Sequence, residues 1–259
     1  MTLNFISLGW GVQSFTLAAM SALGELPKVD AAIHADTTHE RSATYAFAAK
    51  WTPWLEQRGI RVVVVGDFKQ TATVSTHKTD IPAFTYSPQS YGQLRRQCTQ
   101  RWKITPMRRW ISEELANLGL RKQVGVVRQW LGISLDEMER MKPSDVRYIE
   151  TVWPIIDKRM TRADCVRWLL ANGLEVPPKS SCVFCPYHNA VAWSELRQTP
   201  ADFEKAAQVD SAIRKCRPPY DLFVHPARKP LIEIDVRTPQ ERGQLELFQG
   251  EECAGVCFV

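Results

Sequence analysis

Two thiols three positions apart, Cys182-Val-Phe-Cys185, followed by Pro186, Tyr187 and His188, form the sharpest chemical constellation in the sequence. Thiolates at that spacing on a tight turn can grip one metal ion or two corners of an iron–sulfur cluster. Either arrangement needs a further ligand. Cys98 is the candidate, because the preceding basic residues Arg95 and Arg96 favour its thiolate form. Three cysteines would leave one iron of a 4Fe-4S cluster open to substrate, whereas His188 would complete a zinc (Zn) site with them; a plain redox pair is the third option. Cys165 falls inside an amphipathic pattern and reads as core, and Cys216 has no neighbouring signal.

A second constellation could hold an anion. Ser7-Leu-Gly9-Trp-Gly11-Val-Gln-Ser14 joins an apolar run to a helix pattern. Gly9 and Gly11 can take backbone angles closed to other residues and let amides approach a ligand, while Ser7 and Ser14 supply hydroxyls around a helix start. No Gly-Lys-Ser/Thr follows, and Ser14 stands where the third glycine of a dinucleotide fingerprint would be, so two common nucleotide loops are disfavoured. The alternative is a plain strand-turn-helix corner. A second apolar run, Asp30–Asp36, breaks into Thr37-Thr38-His39-Glu40, placing polar groups at a strand's carboxyl end, where open parallel sheets bind ligands. Downstream, Arg96, Arg101, Lys103 and Arg109 could neutralise phosphates, with Trp102 and Trp110 stacking on a base; the competing reading is a solvated helix face with core aromatics. His39 and His77 have no spacing partner and read as structural.

The elements that must position these residues follow an alternating pattern. Helices are expected over Ser14–Leu26 and Arg41–Gln57, with an all-buried strand at Arg61–Gly66, giving the order βαβαβ and a parallel sheet. Periodicity fades over Asp67–Gln97, which reads as a long loop; a basic helix opens at Arg95 and runs towards Leu115. A strand within Arg121–Ile133 precedes a helix capped by Ser134, an extended stretch Trp153–Ile156, and a helix Arg162–Asn172 capped by Thr161. Further helices are expected near Ala190–Arg197 and Ala201–Arg214. The expected fold is α/β, a three-layer parallel sheet with helices on both faces over residues 1–178, plus a cysteine-bearing appendage and tail over 179–259.

At 259 residues and 44% hydrophobic content the chain can bury a substantial core, and its net charge of +5 suits polyanionic partners without proving them. No apolar run approaches membrane-spanning length, and the first residues lack the layout of a signal peptide, so a cytoplasmic protein with no membrane partner is expected.

The order of these motifs resembles the phosphoadenosine phosphosulfate reductase family, within the PP-loop adenine nucleotide alpha-hydrolase superfamily, over roughly residues 4–210. Ser7, Gly11 and Ser14 match the family's first loop, Ser-Phe-Ser-Gly-Gly-Lys-Asp-Ser, whereas Gly9, Trp10, Val12 and Gln13 do not. Asp36, Thr37 and Glu40 stand where the family has a nucleotide-contacting Asp-Thr-Gly stretch; Gly132, Ile133, Glu137 and Arg140 echo its Gly-Ile-Arg turn, with Ser134 replacing the arginine. Cys98, Thr99, Lys103, Ile104 and Pro106 fit a Cys-Thr-x-x-x-Lys-Ile-x-Pro stretch, and Ser180, Cys182, Cys185 and Pro186 fit Ser-x-Cys-x-x-Cys-Pro.

The resemblance implies ATP or phosphoadenosine phosphosulfate as substrate, with magnesium (Mg) accompanying it, and sulfur transfer or sulfonucleotide reduction as the chemistry. Gln97 stands where cluster-bearing reductases have another cysteine, so a three-cysteine cluster, as in RNA-thiolating relatives, fits better; an RNA or DNA substrate follows from that version. Cys253 in Glu252-Cys253-Ala254 is close to the reductases' nucleophilic tail, with Cys257 as a resolving thiol and a thiol reductant protein as partner. A mobile tail with two exposed thiols is the competing reading. Loss of the Lys-Asp pair to Val12 and Gln13 removes groups that handle pyrophosphate and magnesium. The rival class is therefore a non-catalytic nucleotide sensor or nucleic-acid-binding module with structural zinc at Cys98, Cys182, Cys185 and His188.

Overall fold

The protein is described by a computed structural model over residues 2–66 and 79–243. Its strands run, in chain order, β1 (Leu3–Ser7), β2 (Ala31–Ala35), β3 (Val62–Val65), β4 (Phe84–Tyr86), β5 (Tyr91–Gln93), β6 (Val127–Trp130), β7 (Ile149–Val152) and β8 (Asp221–Phe223). The α-helices are α1 (Val12–Ala22), α2 (Ser42–Gln57), α3 (Thr105–Asn117), α4 (Pro154–Asp157), α5 (Arg162–Ala171), α6 (Ala190–Arg197) and α7 (Pro200–Ile213). The chain divides into two compact units, residues 2–66 with 102–180 and residues 79–101 with 181–243.

The first unit is a mixed α/β body on a parallel five-stranded sheet of order β3-β2-β1-β6-β7. Strand β2, Ala-Ala-Ile-His-Ala, is buried at every position, as expected for a parallel strand covered on both faces. Alternation along β1 separates two cores. Ile6 packs with Leu17 of α1, Phe47, Trp51 and Leu55 of α2 and Leu169 of α5; Leu3 and Phe5 pack with Met107, Ile111 and Leu115 of α3. Helices therefore cover both faces, as the βαβαβ pattern predicts. Thr161 caps α5 in a reciprocal capping box with Asp164, as its position before the periodic run implies.

Two expectations fail locally. Ser134 stands at the N-cap position with the extended backbone usual there, but its side chain makes no capping hydrogen bond, and the helix it precedes, Leu135–Arg140, is a 3₁₀ stretch kinked at Glu137. Trp153–Ile156 is not extended either, because Pro154 begins α4 and its fixed φ suits a first helical turn.

The second unit contains a three-stranded antiparallel sheet of order β5-β4-β8. Its first two strands lie in the stretch expected to be loop; at three residues each they are too short to show a period. Asp210 of α7, 2% exposed, fixes the end of β8 by accepting from Val224 N at 2.9 Å and Leu231 N at 3.1 Å. Among the described residues, no helix is long and apolar enough to cross a membrane.

Candidate functional site

In the first unit the chain steps from β1 outwards to β2 and β3, then returns to place β6 and β7 on the other side of β1. The connections leaving β1 and β6 thus diverge, and a crevice at the carboxyl ends of those neighbours is where open α/β sheets bind ligands. The sequence places Gly9–Ser14 after β1 and Gly132–Arg140 after β6. Their backbones meet. A β-carbon on Gly132 would lie 2.6 Å from Ser14 N and 2.8 Å from Gln13 C, so only glycine fits against the first turn of α1.

The loop after β1 is shaped differently from what its glycines imply. Gly11 is extended, with φ −92° and ψ 172°, and the left-handed residue is Trp10, at φ 58°. For a bulky side chain that conformation is held only where packing compels it. Trp10 is 1% exposed and packs its ring against Phe15, His34 and Phe47. The serine hydroxyls serve the loop itself. Ser14 Oγ accepts from Gly9 N and donates to Gly11 O, both at 3.2 Å, and Ser7 Oγ accepts from Gln129 Nε2 at 2.8 Å. The first-turn amides of α1 have no intrahelical acceptor, as at any helix start.

Gln13 links the two loops. Its Nε2 donates to Ser134 Oγ at 3.2 Å and Glu137 Oε2 at 3.1 Å, and Glu137 in turn pairs with Arg140 at 2.6 Å. Gly132, Glu137 and Arg140 are thereby brought to the start of α1.

The loop after β2 supplies a third side. Asp36 Oδ1 accepts from Thr38 N and from the Tyr45 hydroxyl, each at 2.7 Å, and Thr38 is left-handed at φ 62°. Burial, then the hydrogen bond to Asp36 and its charge, raise the Tyr45 pKa, so the phenol remains a donor. Thr37 is fully buried. Glu40, 2% exposed, pairs with Lys103 at 3.2 Å, and Ser180 donates to Gly9 O at 2.5 Å while lying 3.5 Å from Glu40 Oε2. Buried His34 carries its proton on Nδ1, 3.0 Å from Leu8 O, since a carbonyl can only accept. Gln13 and Tyr45 escape a sequence reading as site residues because a lone amide or phenol carries no spacing signature.

The remaining candidates divide between the two units. Cys98, Cys182, Cys185 and His188 belong to the second unit. The Cys182–Cys185 turn closes through Cys185 N to Cys182 O at 3.1 Å; His188 stacks edge-on against Trp193, with Nε2 3.0 Å from Ser181 Oγ. Among the described residues no group of three or more His, Cys, Asp and Glu side chains is arranged to hold a metal ion. Arg96 donates to Thr99 Oγ1 at 2.7 Å and Arg101 pairs with Asp80 at 2.6 Å; Arg109 is exposed on α3. Trp102 is 3% exposed, so its ring offers no stacking face, and the half-buried Trp110 packs edge-on to Phe5 at 5.4 Å. Cys253, Cys257 and His77 lie outside the described residues.

No family model and no curated relative matches the sequence. Among solved structures the chain is similar to phosphoadenylyl-sulfate (PAPS) reductase from Candida auris, crystallised as a phosphate complex, with a TM-score of 0.41 and 11% identity over 68% of this chain and 76% of that one.

Proposed function

We propose that the crevice between the loops after β1 and β6 binds the phosphates of an adenine nucleotide, and that the chain is a phosphoadenosine phosphosulfate reductase-like enzyme of sulfur transfer or sulfonucleotide reduction. The observation that carries the binding site is the backbone contact of Gly132 with the Gln13–Ser14 peptide, which brings a helix start and two loops to the point where the strand order reverses. Adenine as the base and sulfur as the reacting element come from the motif order described for the sequence. In this reading the α1 amides hold phosphate, Gln13 keeps the loop after β6 against them, and Asp36 with Tyr45 sets the loop after β2. In the reductase version the Cys253 thiolate attacks the sulfonate sulfur, releasing the adenosine bisphosphate and leaving an S-sulfocysteine. Cys257 then displaces sulfite as the disulfide forms.

Calorimetric titration with ATP, phosphoadenosine phosphosulfate and GTP tests the site. Adenine nucleotides should bind at least about tenfold more tightly than GTP, a difference of about 1.4 kcal/mol; no adenine nucleotide binding would discard the proposal. Sulfite release from phosphoadenosine phosphosulfate with a dithiol reductant, abolished in Cys253→Ser with nucleotide binding kept, identifies the reductase version.

A second reading has its own support. Val12 and Gln13 leave the loop without a cationic side chain, and the Gln13 amide is engaged by Ser134 and Glu137. Such a loop can hold a nucleotide without splitting its phosphoanhydride. Tight binding with no turnover of ATP or sulfonucleotide would select this sensor-like role, and ATP-dependent RNA thiolation would be ruled out with it.

A further inference from the structure

The small sheet of the second unit has two unlike faces. Thr85 and Leu222, cross-strand partners, point inwards and are 8% and 0% exposed. The opposite face carries Phe84 and Tyr86 from β4 and Tyr91 from β5, with Tyr86 and Tyr91 directly paired. These two tyrosines are 48% and 76% exposed. A cation is fixed over Tyr91 and Phe84: the Arg228 guanidinium lies 5.0 Å from the Tyr91 ring centroid and 5.5 Å from that of Phe84. It is held by donation from Nε to Thr85 O at 3.2 Å and from Nη1 to Pro226 O at 3.0 Å, with Arg228 itself left-handed at φ 52°.

The surrounding sequence supplies charge. Residues 214–229 contain five basic residues, Arg214, Lys215, Arg217, Arg228 and Lys229, against one acidic residue, Asp221. Arg214 and Lys215 pair with Asp210 and Asp221, while Arg217 and Lys229 are exposed. A bridge between Arg217 and Tyr220 and a contact of 3.3 Å from Ser90 Oγ to Tyr220 OH bring Arg217 and two hydroxyls to the β4–β5 turn.

We propose that this face binds single-stranded RNA. Exposed aromatic rings offer stacking surfaces that any base can use, the guanidinium and the flanking cations track phosphates, and the hydroxyls at the turn can pair with ribose 2′-hydroxyls, which DNA lacks. The site belongs to the second unit and stands or falls independently of the nucleotide crevice in the first.

The test is fluorescence anisotropy of a fluorescein-labelled, mixed-sequence 15-nucleotide RNA titrated with the full-length chain. Wild type should bind with an affinity that falls as salt rises. Tyr91→Ser should weaken binding about tenfold, Tyr91→Phe should restore it, and Arg228→Gln should weaken it and flatten the salt dependence. Tyr91 is exposed enough that its replacement leaves the fold intact, which circular dichroism checks. ATP titration of Tyr91→Ser should match wild type, so failure here is distinguishable from failure of the nucleotide site. No anisotropy change with wild type, unaltered affinity in folded Tyr91→Ser, or equal affinity for DNA or duplex of the same sequence would overturn the proposal. Self-association of the chain lost in Tyr91→Ser, without RNA binding, would reassign the face to a protein contact.

Discussion

Gly132 and Ser14 are held so close that a β-carbon on the former would sit 2.6 Å from the amide nitrogen of the latter, with Ser14 Cα only 2.9 Å away. Both obstructing atoms are backbone at a helix start, where neither can swing aside. Gly132→Ala should therefore lower stability by about 1–3 kcal/mol, as overpacking does, and remove the proposed nucleotide binding by displacing the loop after β6. Gly11→Ala is the contrast, because its β-carbon would meet Ser180 Cβ at 3.7 Å, an ordinary contact, and its φ is negative. Thermal melting and calorimetry of the two variants should separate clearly; equal behaviour would mean that the two loops are not locked together.

Gln13 donates to Glu137 and Ser134 through one amide nitrogen, so Gln13→Glu removes both bonds and sets two carboxylates against each other. Glu137 is 8% exposed, which limits relief by solvent. A loss of about 1–3 kcal/mol is expected, the cost of breaking such bonds at a buried partner. Gln13→Glu combined with Glu137→Gln should recover only the part that belongs to the Gln13–Glu137 contact, since donor and acceptor are exchanged there while the ion pair of Glu137 with Arg140 is lost. Chemical denaturation of the single and double variants reads this coupling, and additive losses would show that the contact is incidental.

Lys103 and Glu40 form an ion pair whose side chains are 14% and 1% exposed. Removing the cation leaves a carboxylate in a site closed to water, so Lys103→Met should cost about 3 kcal/mol, near the lower end for a buried pair because the lysine retains some solvent. Lys103→Met with Glu40→Gln should cost much less. A double variant no better than the single would indicate that Lys103 acts through its hydrocarbon stem.

The alternation of apolar runs in the first half was sufficient to read the parallel sheet, because β2 and β3 are short, dense and bounded by polar turns. The position of Gly132 against α1 was not readable, since it depends on two loops that are over a hundred residues apart. Glu137 and Arg140 could be singled out as a charged pair one turn apart, but their link to the first loop runs through Gln13, whose type carries no chemical signature. The first loop misled in the opposite direction: its glycines read as the residues with unusual backbone angles, whereas Trp10, buried against Phe15 and Phe47, is the left-handed residue. The β4–β5–β8 sheet joins strands from distant parts of the chain, and three-residue strands hold no periodicity to read.

His34 should make the first unit sensitive to acid. Burial lowers its pKa below the ordinary 6.5, with Lys103 acting in the same direction and Glu40, Leu8 O and Asp36 opposing. A histidine with a lowered folded-state pKa binds a proton more readily when unfolded, so its contribution to stability is complete above pH 6.5 and is lost as pH falls below that value. The slope from one such group is at most about 1.4 kcal/mol per pH unit. His225 in the second unit is shifted downwards as well, chiefly by burial against the opposing effect of Asp210, and adds a parallel loss. Melting temperatures of wild type and His34→Gln from about pH 7.5 to about pH 5 separate the two: the variant should start lower, having lost the bond to Leu8 O, but fall less steeply. Parallel curves would show that the His34 ring reaches solvent and titrates as it does in the unfolded chain.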